Sequence, residues 1–166
     1  MKPALFVTAA CLLAVTLPLL AQGPPQPVTW SITLDPASGT RTPGERVTAV
    51  VTAQIDEGWH VYATDELPDG PRPLRIEAIT GGPVESGGAL TCPEPERDFD
   101  QAFSQVTAFY KETATCRVPL AVKTDATPGA TAVALDISFQ ACDGRMCLPG
   151  RTVRLSAAMT VARKSR

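Results

Sequence analysis

From Val28 to Val161 the chain is cut into short pieces by clusters of Pro, Gly and Asp. The pieces "VTWSITLDP", "RVTAVVTAQI", "WHVYA", "LRIEAI", "TATCRVPLAV", "TAVALDISFQAC" and "RTVRLSAAMTV" alternate or run apolar over the span of a strand. Between them stand "DPASGTRTPGE", "ELPDGPRP", "TGGPVESGG" and "TDATPGA", rich in residues that pre-set or permit turn geometry. No stretch of this region keeps a helical apolar period, and no repeat recurs. Such a chain buries its apolar faces by stacking sheets.

About seven or eight strands in roughly 135 residues predict an all-β fold, an antiparallel β-sandwich of immunoglobulin-like type. The segment from Cys92 to Ser104, "CPEPERDFDQAFS", carries too much proline and charge for a central strand and reads as a long loop. Long loops in compact domains often carry function.

Ahead of this domain, Met1-Lys2 precedes an apolar run from Ala4 to Ala21. That order is the signature of a secretory signal, which assigns residues 1–21 to a signal peptide and residues 22–166 to one exported domain. The run is also long enough to act as an uncleaved membrane anchor. A lipoprotein signal is discounted, because Thr8 rather than Leu stands three residues before Cys11. A net charge of −2 gives no electrostatic reason to expect nucleic acid or an anionic membrane surface as partner. Of the five cysteines, Cys11 falls in the leader, which leaves Cys92, Cys116, Cys142 and Cys147. An even count in an exported chain favours disulfides.

The stretch "FQACDGRMCLPG" sets Cys142 and Cys147 either side of a loop, Asp143 to Met146, that can close a hairpin. Directly opposed antiparallel residues have Cα atoms roughly 4.5–5.5 Å apart, a separation that a disulfide accepts. Parity puts Val133, Leu135, Ile137, Phe139 and Ala141 on one face of the preceding strand. Asp136, Ser138, Gln140 and Cys142 share the other, so Cys142 is expected on the polar, outer face. As a staple the pair is weak: chain entropy gives about 2 kcal/mol for a ring of about six residues, against about 3.5 kcal/mol for the ring of about 25 that Cys92 and Cys116 would close. An exposed pair suits redox exchange, but spacing alone leaves the redox and the structural readings both open.

The same parity makes a second demand. If Cys142 and Cys147 both face outward, strict alternation turns residues 149, 151 and 153 outward too. Yet Val153, Leu155, Ala157 and Val161 form the apolar set of the last strand. The count fails by one residue, so an irregularity is expected between Cys147 and Val153, with Gly150 after Pro149 as its natural place.

Two further readings compete with redox exchange. Cys142, Cys147 and Met146 are soft ligands within one hairpin, which suits copper(I). A zinc site built from all four cysteines fits neither the spacing nor the compartment. The third reading is a non-catalytic immunoglobulin-like binding module with inert disulfides. His60, the sole histidine, reads most simply as an ordinary strand residue. Nothing matches a hydrolase triad, a phosphate loop or a paired-carboxylate site, and no cofactor is expected.

In "FQACDGRMCLPG", an aromatic residue and Gln precede the first cysteine and a Pro follows the second. This resembles the active-site hairpin of the N-terminal periplasmic domain of the thiol:disulfide interchange protein DsbD. "DEGWHVYA" is similar to that family's Gly-aromatic strand, and "FSQVTAFYKETATCRVPL" to its loop-then-strand segment ending in Val-Pro. The likeness runs in order over roughly residues 28–161.

The resemblance implies an immunoglobulin-like periplasmic domain that relays electrons by thiol–disulfide exchange. A membrane-embedded reductant, here a separate chain, would feed a thioredoxin-like domain or protein that reduces the pair. The pair would then reduce periplasmic disulfide isomerases or other thioredoxin-fold proteins. Cys147 takes the role of the cysteine that forms the mixed disulfide, and Cys142 resolves it. The family covers its cysteines with a Phe-bearing cap; counting back from Tyr110 gives that role to Phe103, with Phe99 as second candidate. Trp59 and Tyr62 match the aromatic strand and are expected to line the site.

The chain also departs from the family pattern. Gln101 and Ala102 stand where acidic residues precede the cap Phe, which removes the ground for a proton-handling carboxylate there. Full-length members continue into a membrane domain and a thioredoxin-like domain, whereas this chain stops at Arg166, so a stand-alone protein is expected. Cys92 and Cys116 are extra to the usual pattern. Ala114, Cys116, Val118 and Leu120 share a face, so Cys116 is expected to point inward, where a structural disulfide to Cys92 would tie the cap segment to the sandwich.

Overall fold

A computed structural model describes residues 25–163; the expected signal peptide, residues 1–21, lies outside the described residues. The chain forms β1 (Val28–Asp35), β2 (Thr40–Arg41), β3 (Arg46–Ile55), β4 (His60–Tyr62), β5 (Arg75–Ala78) and β6 (Val84–Ser86). It continues through β7 (Glu96–Asp100), β8 (Gln105–Tyr110), β9 (Thr113–Val122), β10 (Gly129–Phe139), β11 (Ala141–Cys142) and β12 (Arg151–Val161). Among the described residues no helix is long and apolar enough to cross a membrane.

The strands make three four-stranded sheets, ordered β1-β3-β9-β6, β2-β12-β10-β5 and β11-β4-β8-β7. All pairings are antiparallel except the short contact of β2 with β12. The fold is the expected all-β, immunoglobulin-like sandwich. Its core follows from strict alternation. In β3 the buried residues are Val47, Ala49, Val51, Ala53 and Ile55; in the neighbouring β9 they are Ala114, Cys116, Val118, Leu120 and Val122. Val133, Leu135 and Ile137 of β10 close the core from the second sheet, each fully buried. Each large aliphatic side chain taken out of water there contributes roughly 1.5–3 kcal/mol.

The third sheet positions the site. Val61, Ala108, Tyr110 and Ala141 point from one of its faces into the main core. Its other face carries a second buried cluster of Tyr62, Phe109 and Cys142, with Phe103 and Cys147 packed against it. The chain enters this sheet at Gln140, where β10 stops and β11 begins, so the expected single strand ending at Cys142 is in fact split between two sheets.

Four strands differ from the sequence reading, among them β8, which falls in none of the expected strand pieces. The segment Cys92–Ser104 is not all loop: residues 96–100 form β7, an edge strand paired with β8 from Glu96↔Phe109 to Asp100↔Gln105. Being at the edge, it tolerates the charge that excludes it from a sheet centre. Two stretches read as punctuation also hold short strands, β2 and β6.

The irregularity before the last strand is present. Phe139 pairs with Arg151, whereas Cys142 pairs with Cys147. Two residues, Gln140 and Ala141, therefore face three, Leu148 to Gly150, and the extra residue restores the inward set of Val153, Leu155 and Ala157 against the core. Gly150 has no unusual backbone, and what lies close to it is the end of the Arg72 side chain. It does not have positive φ, and a Cβ there would stand 2.5 Å from Arg72 Nε and 2.7 Å from Arg72 Cδ.

Candidate functional site

Cys142 and Cys147 face each other directly across the hairpin, with Cα atoms 4.1 Å apart and a bond between their sulfurs. The sequence of the turn accounts for this placement. Asp143 N donates to Met146 O at 3.1 Å, and Asp143 Oδ1 accepts from Arg145 N at 2.9 Å and Met146 N at 2.8 Å. Gly144 supplies the positive φ, 81°, that the turn requires. The amides of Met146 and then Arg145 hold the Asp143 carboxyl below its ordinary value.

The base of the hairpin is clamped by one side chain. Gln140 Oε1 accepts from Arg72 N at 2.8 Å, while its Nε2 donates to Leu148 O at 3.3 Å. Leu148 N in turn donates to Ala141 O at 2.9 Å. Gln140 thus ties the carbonyl of Leu148, in the bulged segment, to the amide of Arg72.

The two cysteines differ in exposure. Cys142 is 2% exposed, contrary to the outer, exposed position expected for it. Parity was right about the face, but a second layer covers that face. Cys142 pairs with His60 across β11–β4, and Tyr62 pairs with Phe109 across β4–β8, so these side chains share one side of the sheet. Phe103 closes the cluster, its ring 5.7 Å from that of Tyr62 in an edge-to-face contact. Cys147 is half-buried and borders a cleft of about 350 Å³.

The residues expected to line the site divide. Phe103 packs against the cysteine cluster. Phe99 lies on β7, is 59% exposed and only borders the cleft. Tyr62 is buried at the centre; its hydroxyl donates to Asp100 Oδ2 at 2.6 Å and lies 3.9 Å from Cys147 Sγ. Burial, followed by the neighbouring Asp100 carboxylate, pushes the Tyr62 phenol well above its usual range. Trp59 does not line the site. It packs against the main core, because residues 59 and 61 face the opposite way from 60 and 62.

That alternation brings in His60 instead, which the sequence reading left as an ordinary strand residue. Its ring stands edge-on to Tyr62 at 5.1 Å and tilted against Phe109 at 4.9 Å. Its Nε2 is buried and has no hydrogen-bond partner. Burial draws the imidazole below its ordinary value, with Lys111 acting in the same direction and Asp100 and Asp143 opposing.

Asp100 was missed as well. The acidic residues absent next to Phe103 lie slightly earlier, at Asp98 and Asp100, whose side chains border the cleft. Asp100 also accepts from Ala102 N at 2.9 Å and from Thr107 Oγ1 at 3.5 Å. Their spacing along "ERDFD" was the available signal: alternate residues of a strand share a face.

The other cysteine pair, Cys92 and Cys116, is bonded, with Cys116 1% exposed in the core. It fastens the chain just ahead of β7 to β9. Among the described residues, no group of three or more His, Cys, Asp or Glu side chains is arranged to hold a metal ion. The two sulfurs of the copper(I) reading are bonded to each other.

What this arrangement offers is a disulfide in a tight hairpin beside a cleft that both cysteines border, with Cys142 buried and Cys147 half-buried. The sequence model for the family described as thiol:disulfide interchange protein DsbD, N-terminal, matches residues 31–158. No match is found among curated proteins. Among solved structures, the N-terminal periplasmic domain of ScsB from Proteus mirabilis aligns with a TM-score of 0.52 at 13% identity, over 88% of this chain and 49% of that one. The chain thus spans about half of that structure, and the likeness is one of fold. The Neisseria meningitidis DsbD n-terminal domain in the reduced form aligns with a TM-score of 0.49 at 15% identity, over 68% of this chain and 77% of that one.

Proposed function

The chain belongs to the family of DsbD N-terminal domains, thiol–disulfide interchange modules, and on that premise we propose that Cys142 and Cys147 are its exchanging pair in the periplasm. The pair takes reducing equivalents from a membrane-linked or thioredoxin-like reductant and passes them to periplasmic thioredoxin-fold proteins of the disulfide isomerase type. The observation that carries this reading is the unequal exposure of the two bonded cysteines.

Exchange runs through a mixed disulfide, so one sulfur must meet the partner and the other must stay within reach of the first. In the delivering direction, the Cys147 thiolate attacks a client disulfide and releases one client thiolate. Cys142 then attacks Cys147 Sγ, the Cys142–Cys147 bond forms, and the second client thiolate leaves. Two electrons pass to the client. In the charging direction, a partner thiolate attacks Cys147 Sγ and expels Cys142, and the partner's second thiol releases Cys147. Cys142, 2% exposed beneath Tyr62 and Phe109, is suited to the resolving role. Phe103 has to swing off the cluster before a partner can approach.

The test is a redox titration with a thiol-reactive mass tag. The Cys142–Cys147 pair is expected to titrate between about −120 and −270 mV, the range of thioredoxin-fold partners. Cys92–Cys116 is expected to remain oxidised below about −300 mV, as structural disulfides do. A Cys142–Cys147 bond as resistant as Cys92–Cys116 would overturn the relay and favour an inert binding module.

A further inference from the structure

Resolution of a mixed disulfide poses a proton problem that the buried sulfur cannot solve alone. Cys142 has to give up its proton to become a nucleophile, yet it is 2% exposed at the floor of the cleft, packed against Tyr62, Phe109 and Phe103. A thiolate formed there has little solvation, so its proton needs an acceptor already in place. The phenol of Tyr62 is committed to Asp100 as donor. Directly opposite Cys142 in the β4–β11 pairing stands His60, whose Nε2 is shielded from solvent and without a partner. A buried imidazole nitrogen left unpaired costs stability unless something else retains it.

We propose that His60 is the proton acceptor for Cys142 in the resolving step and the proton donor to it when the pair is charged. The inference rests on the exchange reading above. In resolution, the Cys142 thiol gives its proton to neutral His60, and the resulting thiolate attacks Cys147 Sγ. The Cys142–Cys147 bond forms as the Cys147–client bond breaks, and the proton passes from the imidazolium through the cleft to solvent or to the departing client thiolate. In charging, imidazolium returns a proton to Cys142 as it is expelled. Asp100 on β7 and Asp143 in the hairpin favour the imidazolium, and Lys111 beyond β8 opposes it. Asp98 and Arg145 border the same cleft. Burial lowers the imidazole value, so at neutral pH the ring rests in the neutral form that can accept a proton.

The test follows decay of the mixed disulfide formed at Cys147 with a small aromatic disulfide, in otherwise unaltered protein and in His60→Phe, which keeps a ring against Tyr62 and Phe109. His60→Gln serves as a second variant should the first fold poorly. Formation of the adduct in a Cys142→Ser background is expected to change less than about twofold between His60 and its variants, whereas release by Cys142 is expected to slow about tenfold or more, in line with general base catalysis. The loss of rate on acidification below His60's value should also disappear in the variants. Release with unchanged rate and pH profile would overturn the inference while leaving the exchange reading intact. Uniform slowing with the pH profile retained would overturn it too, by showing a packing role only. Failure of Cys142 to displace the adduct in unaltered protein would instead remove the exchange reading beneath it.

Discussion

The phenol of Tyr62 donates a 2.6 Å hydrogen bond to Asp100, so the floor of the cleft is fastened to the edge strand that forms its wall. Tyr62 is 1% exposed, and a hydrogen bond from such a site to a carboxylate contributes on the order of 2 kcal/mol. Tyr62→Phe is therefore expected to lower the unfolding free energy by about that amount. Cys147 in the reduced variant should also alkylate faster than in the parent. Denaturant titration and timed alkylation read the two effects. An unchanged alkylation rate would show that this bond does not hold the wall shut.

Unequal exposure of the two cysteines predicts a division of labour. Cys142→Ser should accumulate a mixed disulfide with a thioredoxin-fold partner through Cys147, and Cys147→Ser should not. Non-reducing gels of the two variants mixed with such a partner decide the matter. Equal trapping by both would withdraw the assigned roles while leaving the exchange itself standing.

Gln140 bridges Arg72 N and Leu148 O at the base of the hairpin. Gln140→Ala leaves both backbone groups to find other partners, and a loss of about 1 kcal/mol is expected. The loss should be local, with faster amide exchange at Leu148 and little change at Val51 or Leu135 in the core. Uniform acceleration across the domain would contradict a local clamp.

The Asp143 turn carries a pH signature. The carboxyl is held below its ordinary 3.8 by the amides of Met146 and Arg145. A group depressed in the folded state contributes stability that is present above its unfolded value and is lost as pH falls through the folded one. Asp143→Asn keeps an acceptor for the turn but has no charge to lose. The advantage of Asp over Asn in thermal melts should thus be constant above about pH 5 and shrink as pH drops below about 4. A difference that does not vary with pH would show that the turn's hydrogen bonds do not depend on the charge.

The sandwich was legible because its strands bury one face. Alternation in β3, β9 and β10 marks both the element and its inward side, and the parity count located a bulge before Val153. The same signal fails where burial fails. Strand β7, "ERDFD", has every residue exposed or only half-buried, so no apolar period announces it, and only its pairing with β8 makes it a strand. Cys142 shows a second limit. Alternation tells which face a residue takes, but the cover on that face comes from Tyr62, Phe109 and Phe103, residues distant in sequence. His60 was within reach: one more step of parity from Tyr62 selects it over Trp59. Trp59 is the bulkier aromatic residue, but its place on the opposite face assigns it to the core.

The turn at Asp143 and the clamp at Gln140 hold Cys142 and Cys147 opposite one another through backbone and amide contacts that do not involve sulfur. In this respect the hairpin is built as a socket rather than a latch: the turn and the clamp hold its shape, and the two sulfurs sit within it.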